Sequence, residues 1–200
     1  MASSANVFTE FERCIPKGFS WLNPPLSDIV DKGLHIKTGP KTDFWQRTHY
    51  RFVRDDGHAL LRSVTGNFQV TSLVSFEPKS QYDQCGLMIR GDHENWIKVS
   101  TEFEDSKHSK LGSVVTNLGW SDWATQTISS HITTMHYRAS RKGSDFLLEY
   151  CNEDNEWQQM RIAHLVNAAE TLQVGIYACS PIGETYSCCF HQLRIDCSEG

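Results

Sequence analysis

Two runs of alternating apolar and polar residues, joined by a cluster of turn formers, constrain the fold more than any other feature. They span residues 82–103, with the turn formers at 91–95. Such alternation is typical of a β-strand with one buried face, and two runs around a short turn predict a β-hairpin. A three-residue loop at 92–94 puts both apolar sets on one face, because side chains alternate along each strand.

The predicted register pairs Leu87 with Val99 and Ile89 with Ile97 on the core face. The other face then carries four pairs: Gln84 with Glu102, Gly86 with Ser100, Met88 with Lys98, and Arg90 with Trp96. A slip by one residue would bury Lys98 and Glu102 in the core, so the register is strongly specified. We expect the odd-numbered side chains in the interior. The even-numbered ones should line an open polar trough, with a bare patch at Gly86.

The rest of the chain repeats this pattern without a linker or an internal repeat. Strands are predicted at 34–38, 68–76, 114–117, 128–140, 146–150, 157–162, 172–179 and 186–195. The strands at 146–150 and 157–162 form a second hairpin about a turn at 152–155. Residues 106–110 are predicted as a loop, and 163–170 is the best helical candidate. Short strands separated by turn signals predict an antiparallel all-β sandwich or barrel. We expect one domain over 1–200, with 1–18 irregular.

Charge and cysteine content exclude several classes of protein. The net charge is -5 and the isoelectric point is near 6.0, which argues against a nucleic-acid partner, because phosphate binding needs a basic face. No apolar run approaches the roughly 20 residues that span a bilayer, and no secretory signal pattern begins the sequence. The seven cysteines are odd in number and include no Cys-x-x-Cys pair. These features predict a reduced, cytoplasmic protein without membrane contact.

Several blocks in fixed order carry a resemblance to a known family. They are Trp21-Leu-Asn-Pro-Pro, Thr42-Asp-Phe-Trp45, Tyr82-Asp-Gln-Cys-Gly-Leu-Met-Ile-Arg90, Asn95-Trp-Ile-Lys98, Val115-Thr-Asn117, Ser121-Asp-Trp123 and Val174-Gly-Ile-Tyr177 followed by Ser180-Pro181. The chain resembles the regulation-of-enolase family, a largely uncharacterised group within the concanavalin A-like lectin/glucanase superfamily, over about residues 19–196. The resemblance implies a two-sheet jelly roll whose concave face carries glycan sites in relatives. It also suggests a regulatory link to carbohydrate metabolism, but it does not imply catalysis.

A polar and aromatic patch is the leading candidate for a ligand site. Aromatic rings stack on the apolar faces of sugars, while acids and amides bind the hydroxyl groups. The candidate residues are Asp43, Trp45, Gln84, Lys98, Glu102, Asn117, Trp120, Asp122 and Trp123. The alternative is that Lys98 and Glu102 only pair charges across strands while the tryptophans belong to the core. We expect a non-catalytic binding domain whose concave groove takes a glycan, a sugar-like ligand or a protein partner.

Two other functions remain open. A glycoside hydrolase needs two carboxylates about 5 to 10 Å apart, and Asp43, Glu102 and Asp122 are the candidates. The Glu-x-Asp-x-x-Glu signature of related hydrolases is not reproduced, since Glu104 and Lys107 stand at the last two acidic positions. The second alternative is a module that only contacts another protein, such as a metabolic enzyme.

Metal and cofactor chemistry is not expected. Residues 92–95 are rich in ligand types, but aspartate and asparagine at a hairpin tip favour turns by bonding their own backbone. The nine histidines lack ligand spacing. No Gly-x-Ser-x-Gly sequence, phosphate loop or dinucleotide fingerprint occurs. We therefore predict no metal and no cofactor.

Overall fold

Two seven-stranded antiparallel sheets form the protein in the computed structural model, which describes residues 5–8, 14–151 and 156–197. In spatial order, and numbered along the chain, the first sheet contains β1 (Ser20–Leu22), β6 (His58–Thr65), β15 (Thr171–Cys179), β8 (Gln84–Arg90), β9 (Trp96–Phe103), β10 (His108–Asn117) and β11 (Trp120–Ser129). The second contains β14 (Trp157–His164), β13 (Asp145–Cys151), β12 (Thr134–Lys142), β7 (Phe68–Glu77), β16 (Ser187–Cys197), β3 (Leu34–Lys37) and β2 (Ser27–Val30). A separate hairpin consists of β4 (Phe44–Gln46) and β5 (Val53–Asp55).

The main core lies between the two sheets. Strand β7 shows why: its apolar residues recur at every second position, and Phe68, Val70, Val74 and Phe76 are buried while their neighbours are half-exposed. They join the inward-facing residues of the first sheet in one hydrophobic cluster. This arrangement confirms the jelly-roll sandwich that the resemblance implies.

The register of the β8–β9 hairpin is the predicted one. Leu87 pairs with Val99, Ile89 pairs with Ile97, and all four are fully buried in the main core. The four even-numbered pairs also form as predicted. Because one face had to be apolar throughout, the period-2 pattern was sufficient to fix this register.

The even-numbered face, however, is not an open trough. Met88 and Trp96 are fully buried there and form a second apolar cluster with Phe44 and Trp45. The predicted bare patch at Gly86 is likewise wrong, because Tyr177 lies directly opposite it on β15 and is fully buried. The outer face of the first sheet is thus a second interior, covered by the β4–β5 hairpin.

Polar contacts fasten this covering hairpin to the sheet. The Arg90 guanidinium donates two hydrogen bonds of 2.8 Å to the Asp55 carboxylate. The Asn23 amide donates to the carbonyls of Asp55 and Gly57 at 2.9 and 3.0 Å. The bidentate pairing of Arg90 with Asp55 is directional as well as strong, so it fixes where the hairpin lies. Asn23 belongs to the first of the family motifs, and this contact gives that motif a structural role.

Three secondary-structure predictions are wrong or incomplete. The helix at 163–170 does not exist: β14 continues to His164, with Ala163 paired to Phe146, and residues 165–170 form turns and irregular backbone with Asn167 at φ 53°. The strand predicted at 128–140 is two strands, since β11 ends at Ser129 and β12 begins at Thr134. The loop predicted at 106–110 is partly strand, because β10 starts at His108.

The second predicted hairpin does form, as β13 pairs with β14. Its predicted turn at 152–155 lies outside the described residues.

Five of the seven cysteines behave as small buried side chains, while Cys14 and Cys197 are exposed. Cys85, Cys151 and Cys179 are buried within strands, as predicted. Cys188 lies in the main core, while the adjacent Cys189 faces the other way and its Sγ lies 3.5 Å from His35 Nε2. Cys85, Cys179, Cys188 and Cys189 are free thiols. In the described part of the chain there is no helix long and apolar enough to cross a bilayer.

The Asp55 carboxylate should be important for stability. The change Asp55→Ala leaves the nearly buried Arg90 guanidinium unpaired, and we expect the free energy of unfolding to fall by about 3 kcal/mol. Urea denaturation followed by tryptophan fluorescence measures it. Arg54→Ala is the matched control, because it breaks an exposed ion pair with Asp56 in the same segment and should cost less than about 1 kcal/mol. Equal losses in the two variants would contradict this account of the hairpin's attachment.

Candidate functional site

A pocket of about 460 Å³ remains where the covering hairpin leaves the first sheet exposed. It lies where β8 begins and β9 ends, and its volume falls in the usual range for small-molecule sites, about 300–1,000 Å³. Twelve residues line it: Asp43, Trp45, Tyr50, Phe52, Arg54, Tyr82, Gln84, Lys98, Glu102, Trp123, Pro181 and Ile182. Polar groups form its floor and aromatic rings form most of its wall.

Lys98 is the centre of the polar floor. Its side chain is only 2% exposed, and its Nζ donates to Gln84 Oε1 at 2.8 Å and to Asp43 Oδ1 at 3.4 Å. Gln84 Oε1 also accepts from the Tyr177 hydroxyl at 3.0 Å, and its amide nitrogen donates to the Tyr82 carbonyl. Tyr177 and Tyr82 thus orient the Gln84 amide that accepts from Lys98, and an ammonium so held keeps little rotamer freedom.

The charges on the floor support one another. Burial disfavours the charged form of Lys98, but the carboxylates of Asp43 and Glu102 outweigh it and raise the pKa of the ammonium. Lys98 therefore carries its charge at neutral pH. The floor is an ammonium flanked by two carboxyl groups, which offers hydrogen-bond donors and acceptors side by side.

Glu102 is the unusual member of this group. Burial raises the pKa of its carboxyl group from an ordinary value near 4.5 to about 7; Lys98 partly offsets this shift, and Asp43 adds to it. Its side chain accepts no hydrogen bond from the described residues. A buried carboxyl group without a partner costs free energy, which is recovered when a ligand supplies the missing hydrogen bonds.

Five aromatic side chains build the wall. Trp45 and Trp123 meet edge to face with ring centroids 6.5 Å apart, and Trp45 also contacts Tyr50 at 5.5 Å. Tyr50 stacks on Phe52 at 5.9 Å. Tyr82 is the fifth, just before β8. Since Tyr50 and Phe52 are about half exposed, they form the rim of the pocket.

Six of the nine predicted site residues come together in this pocket. They are Asp43, Trp45, Gln84, Lys98, Glu102 and Trp123. Strand alternation explains those on the two hairpin strands, because even-numbered side chains of β8 and β9 share the outer face. Trp123 joins them because Val114, its partner on β10, also faces outward. Whether these residues bind a ligand stays a prediction.

The other three lie elsewhere. The Asn117 side chain donates a hydrogen bond to the His164 carbonyl and accepts one from the Val166 amide, away from the pocket. Asp122 pairs with Arg161 of β14 at 3.1 Å, and Trp120, on the same side of β11, is 61% exposed. Residues 120 and 122 point away from the pocket because 121 and 123 point toward it. Asp122 is therefore not available as a carboxylate partner for Asp43 or Glu102.

Sequence reasoning missed six lining residues: Tyr50, Phe52, Arg54, Tyr82, Pro181 and Ile182. A signal existed for Tyr82 and Pro181, which belong to family motifs and flank strand ends. For Tyr50 and Phe52 there was none, because the connecting loop lacks periodicity. Its backbone takes left-handed conformations at Arg47, His49 and Arg51, with φ between 53° and 62°.

Metal-ligating side chains do not cluster in the part of the chain that the structure describes. Among the described residues, no group of three or more His, Cys, Asp or Glu side chains is arranged to hold a metal ion. At the hairpin tip, Asp92 instead accepts hydrogen bonds from the Glu94 amide at 2.7 Å and from the Asn95 side chain at 3.0 Å. This is the turn-stabilising use of an aspartate.

Comparison with known proteins assigns the chain to a family. Residues 21–197 match a family described as "Protein of unknown function (DUF1349)". The chain belongs to this family. It is 34% identical over 163 residues to Regulation of enolase protein 1 of Saccharomyces cerevisiae, covering 81% of each chain.

Solved structures share the fold. The crystal structure of a functionally unknown protein from Saccharomyces cerevisiae has a TM-score of 0.84 at 30% identity, covering 92% of this chain and 98% of that one. The GH43 BlXynB protein from Bacillus licheniformis has a TM-score of 0.72 at 15% identity, with 96% of this chain matching 39% of that chain. The carbohydrate binding module CBM66 from Bacillus subtilis has a TM-score of 0.58 at 14% identity, over 90% of this chain and 96% of the module.

The raised pKa of Glu102 predicts a pH-dependent stability difference. The folded protein holds this proton more tightly than the unfolded chain, so the carboxyl group lowers the free energy of unfolding as pH rises from about 4.5 through about 7. Glu102→Gln removes this penalty. We expect the variant to be more stable than the original protein by about 1–3 kcal/mol at pH 8.5, and the difference to vanish near pH 4.5.

Urea titrations of both proteins at several pH values measure this difference. Glu77→Gln is the control, because Glu77 is exposed at the end of β7. The stability difference between this variant and the original protein should not change with pH. A Glu102→Gln variant that is less stable at pH 8.5 would contradict the unpartnered carboxyl group described above.

Proposed function

We propose that this protein is a non-catalytic binding domain whose pocket takes a saccharide. One observation carries the proposal: a buried floor of acid, ammonium and acid stands inside a wall of five aromatic rings. A sugar ring presents C–H groups on its faces and hydroxyl groups at its edge. Aromatic walls suit the former, and closely spaced donors and acceptors suit the latter.

The individual groups have complementary roles in this proposal. Glu102 and the Asp43 carboxylate accept hydrogen bonds from hydroxyl groups, while the Lys98 ammonium donates one to a hydroxyl oxygen. Trp123 and Trp45 supply apolar faces. Because Gln84 and Asp43 already hold Lys98 in place, the ligand need not order it, which reduces the cost of binding.

The comparisons support a role in carbohydrate recognition at the level of fold and name. One structural neighbour is a carbohydrate binding module, and the yeast relative is named for the regulation of enolase. We propose on that basis that saccharide binding links this protein to the control of a metabolic enzyme in the cytoplasm.

Glycoside hydrolysis is the second candidate, favoured by the pKa of about 7 at Glu102, which suits a general acid. It is weaker because only Asp43 and Glu102 remain as a pair, and Lys98 bonds one of them directly. Lys98 holds Asp43 Oδ1, which also accepts from the Phe44 amide at 2.7 Å. A carboxylate so engaged is a poor nucleophile.

Replacing Trp123 tests the site. On a glycan array and by isothermal titration, Trp123→Ala should weaken binding by about fivefold or more, because stacking against one aromatic ring is worth roughly 1 kcal/mol or more. Trp120→Ala is the matched control, since it removes the same side chain three residues away on the opposite face of β11. It should change affinity by less than about twofold.

Three outcomes would contradict the saccharide pocket. They are equal losses in the two tryptophan variants, a tighter Trp123→Ala variant, and an array on which the original protein binds nothing. If the original protein binds nothing on the array and instead captures a metabolic enzyme through the surface around Trp120, the protein-interaction module is favoured.

Binding should also depend on pH through Glu102. Hydroxyl groups donate to the carboxylate and lower its pKa in the complex, so the affinity should fall by about tenfold from pH 8 to pH 6. Glu102→Gln should remove this dependence. Assaying the same mixtures for reducing ends separates saccharide binding from glycoside hydrolysis. Release of reducing ends by the original protein, abolished in Glu102→Gln, would establish hydrolysis instead.

A further inference from the structure

The extent of the covering hairpin decides how a saccharide chain enters. Seven strands spaced about 4.8 Å apart would give an open face roughly 29 Å wide, on which many sugar residues could lie in a row. That face is not open here. Phe44, at 0% exposure, packs against Trp96 and Tyr177 with ring centroids 6.2 and 6.1 Å apart, and so spans the middle of the sheet.

The hairpin also reaches the far edge of the sheet. The Gln46 amide nitrogen of the backbone donates to Ser121 Oγ on β11 at 2.9 Å, and its side chain donates to the His93 carbonyl. Thr116 shares a hydrogen bond with the same serine at 2.7 Å. A sugar chain therefore has no path along the strands past the pocket toward the β8–β9 turn.

The flanks of the pocket are closed as well. Trp123 stands on the β11 side, braced by Trp45. On the β15 side stand Pro181 and Ile182, in the loop that follows the strand. Tyr82 closes the end at which β8 begins. The lining residues thus come from five separate segments, and they enclose a cup rather than a groove.

The loop on the β15 side is held firmly enough to act as a wall. Ser180 Oγ donates to Asp83 Oδ1 at 2.6 Å, and both residues are buried. The amides of Lys41 and Thr42 donate to the carbonyls of Gly183 and Ser180 at 3.0 and 3.1 Å. Buried, fully paired polar contacts of this kind make a rigid wall, so we expect it to stay in place when a ligand arrives.

We infer that the pocket receives the terminal residue of a saccharide chain end-on, and not an internal stretch of it. This inference rests on the proposed function and adds the part of the saccharide that is recognised. The hydroxyl groups of the last residue meet Asp43, Lys98 and Glu102, and the rest of the chain leaves over the exposed rim of Tyr50, Phe52 and Ile182. Sugar units beyond the second, counted from the bound end, make little contact with the protein.

Chain-length series test this inference. The probes are xylo-, cello-, malto- and fructo-oligosaccharides of one to six residues, together with the matching polymers, titrated calorimetrically against the full chain. In the series that binds, affinity should level off at two residues and change by less than about threefold from two to six. A linear polymer should take one protein per recognised end. Methylating the hydroxyl groups of that terminal residue should abolish binding.

Two results would overturn end-on binding while leaving saccharide binding intact. One is an affinity that rises tenfold or more between two and six residues; the other is several protein molecules on each linear polymer chain. Silence across all four series, with the fold verified by its unfolding transition, would instead refute the proposed function and this inference with it. The Trp120→Ala variant should reproduce the length dependence of the original protein.

Discussion

The charge of Lys98 is buried on the outer face of a β-sheet, and most of the site follows from that constraint. An ammonium with 2% exposure is tolerable only with close oxygen partners, and Gln84 and Asp43 supply them. Gln84 comes from the neighbouring strand, but Asp43 comes from the segment that leads into the covering hairpin. The electrostatics of the floor and the placement of the cover are thus coupled through Asp43.

Sequence alternation predicted the sheet well because it is a local property. Leu87, Ile89, Ile97 and Val99 pair as expected, since one face of β8 and β9 had to be apolar throughout. The same reasoning failed for the other face. Its cover comes from Phe44 and Trp45, about forty residues earlier in the chain, and strand parity says nothing about contacts that distant. The helix predicted at 163–170 failed partly for a related reason, because pairing with β13 takes residues 163 and 164 into a strand. Further on, Asn167 takes a left-handed conformation that a helix does not admit.

The candidate site was predictable in its floor and not in its rim. Gln84, Lys98 and Glu102 follow from the hairpin register, and Trp45 and Trp123 from motifs shared with the family. Tyr50 and Phe52 could not be placed, because they sit on a loop whose left-handed residues follow no repeating pattern. Asn117, Trp120 and Asp122 were wrongly grouped with the floor, since a motif gives proximity in sequence while the face of the strand depends on its register.

The β8–β9 hairpin has two buried faces, and this ties the shape of the pocket to the packing of the protein interior. Val99 in the core lies between Lys98 and Ser100 on the opposite face, which carries the pocket, so a repacking that shifts one must shift the others. Substitutions on the core face of these strands therefore also affect the side chains on the pocket face. Relatives that differ at interior positions of these strands should therefore differ in the shape of the pocket as well, even when every residue lining it is the same.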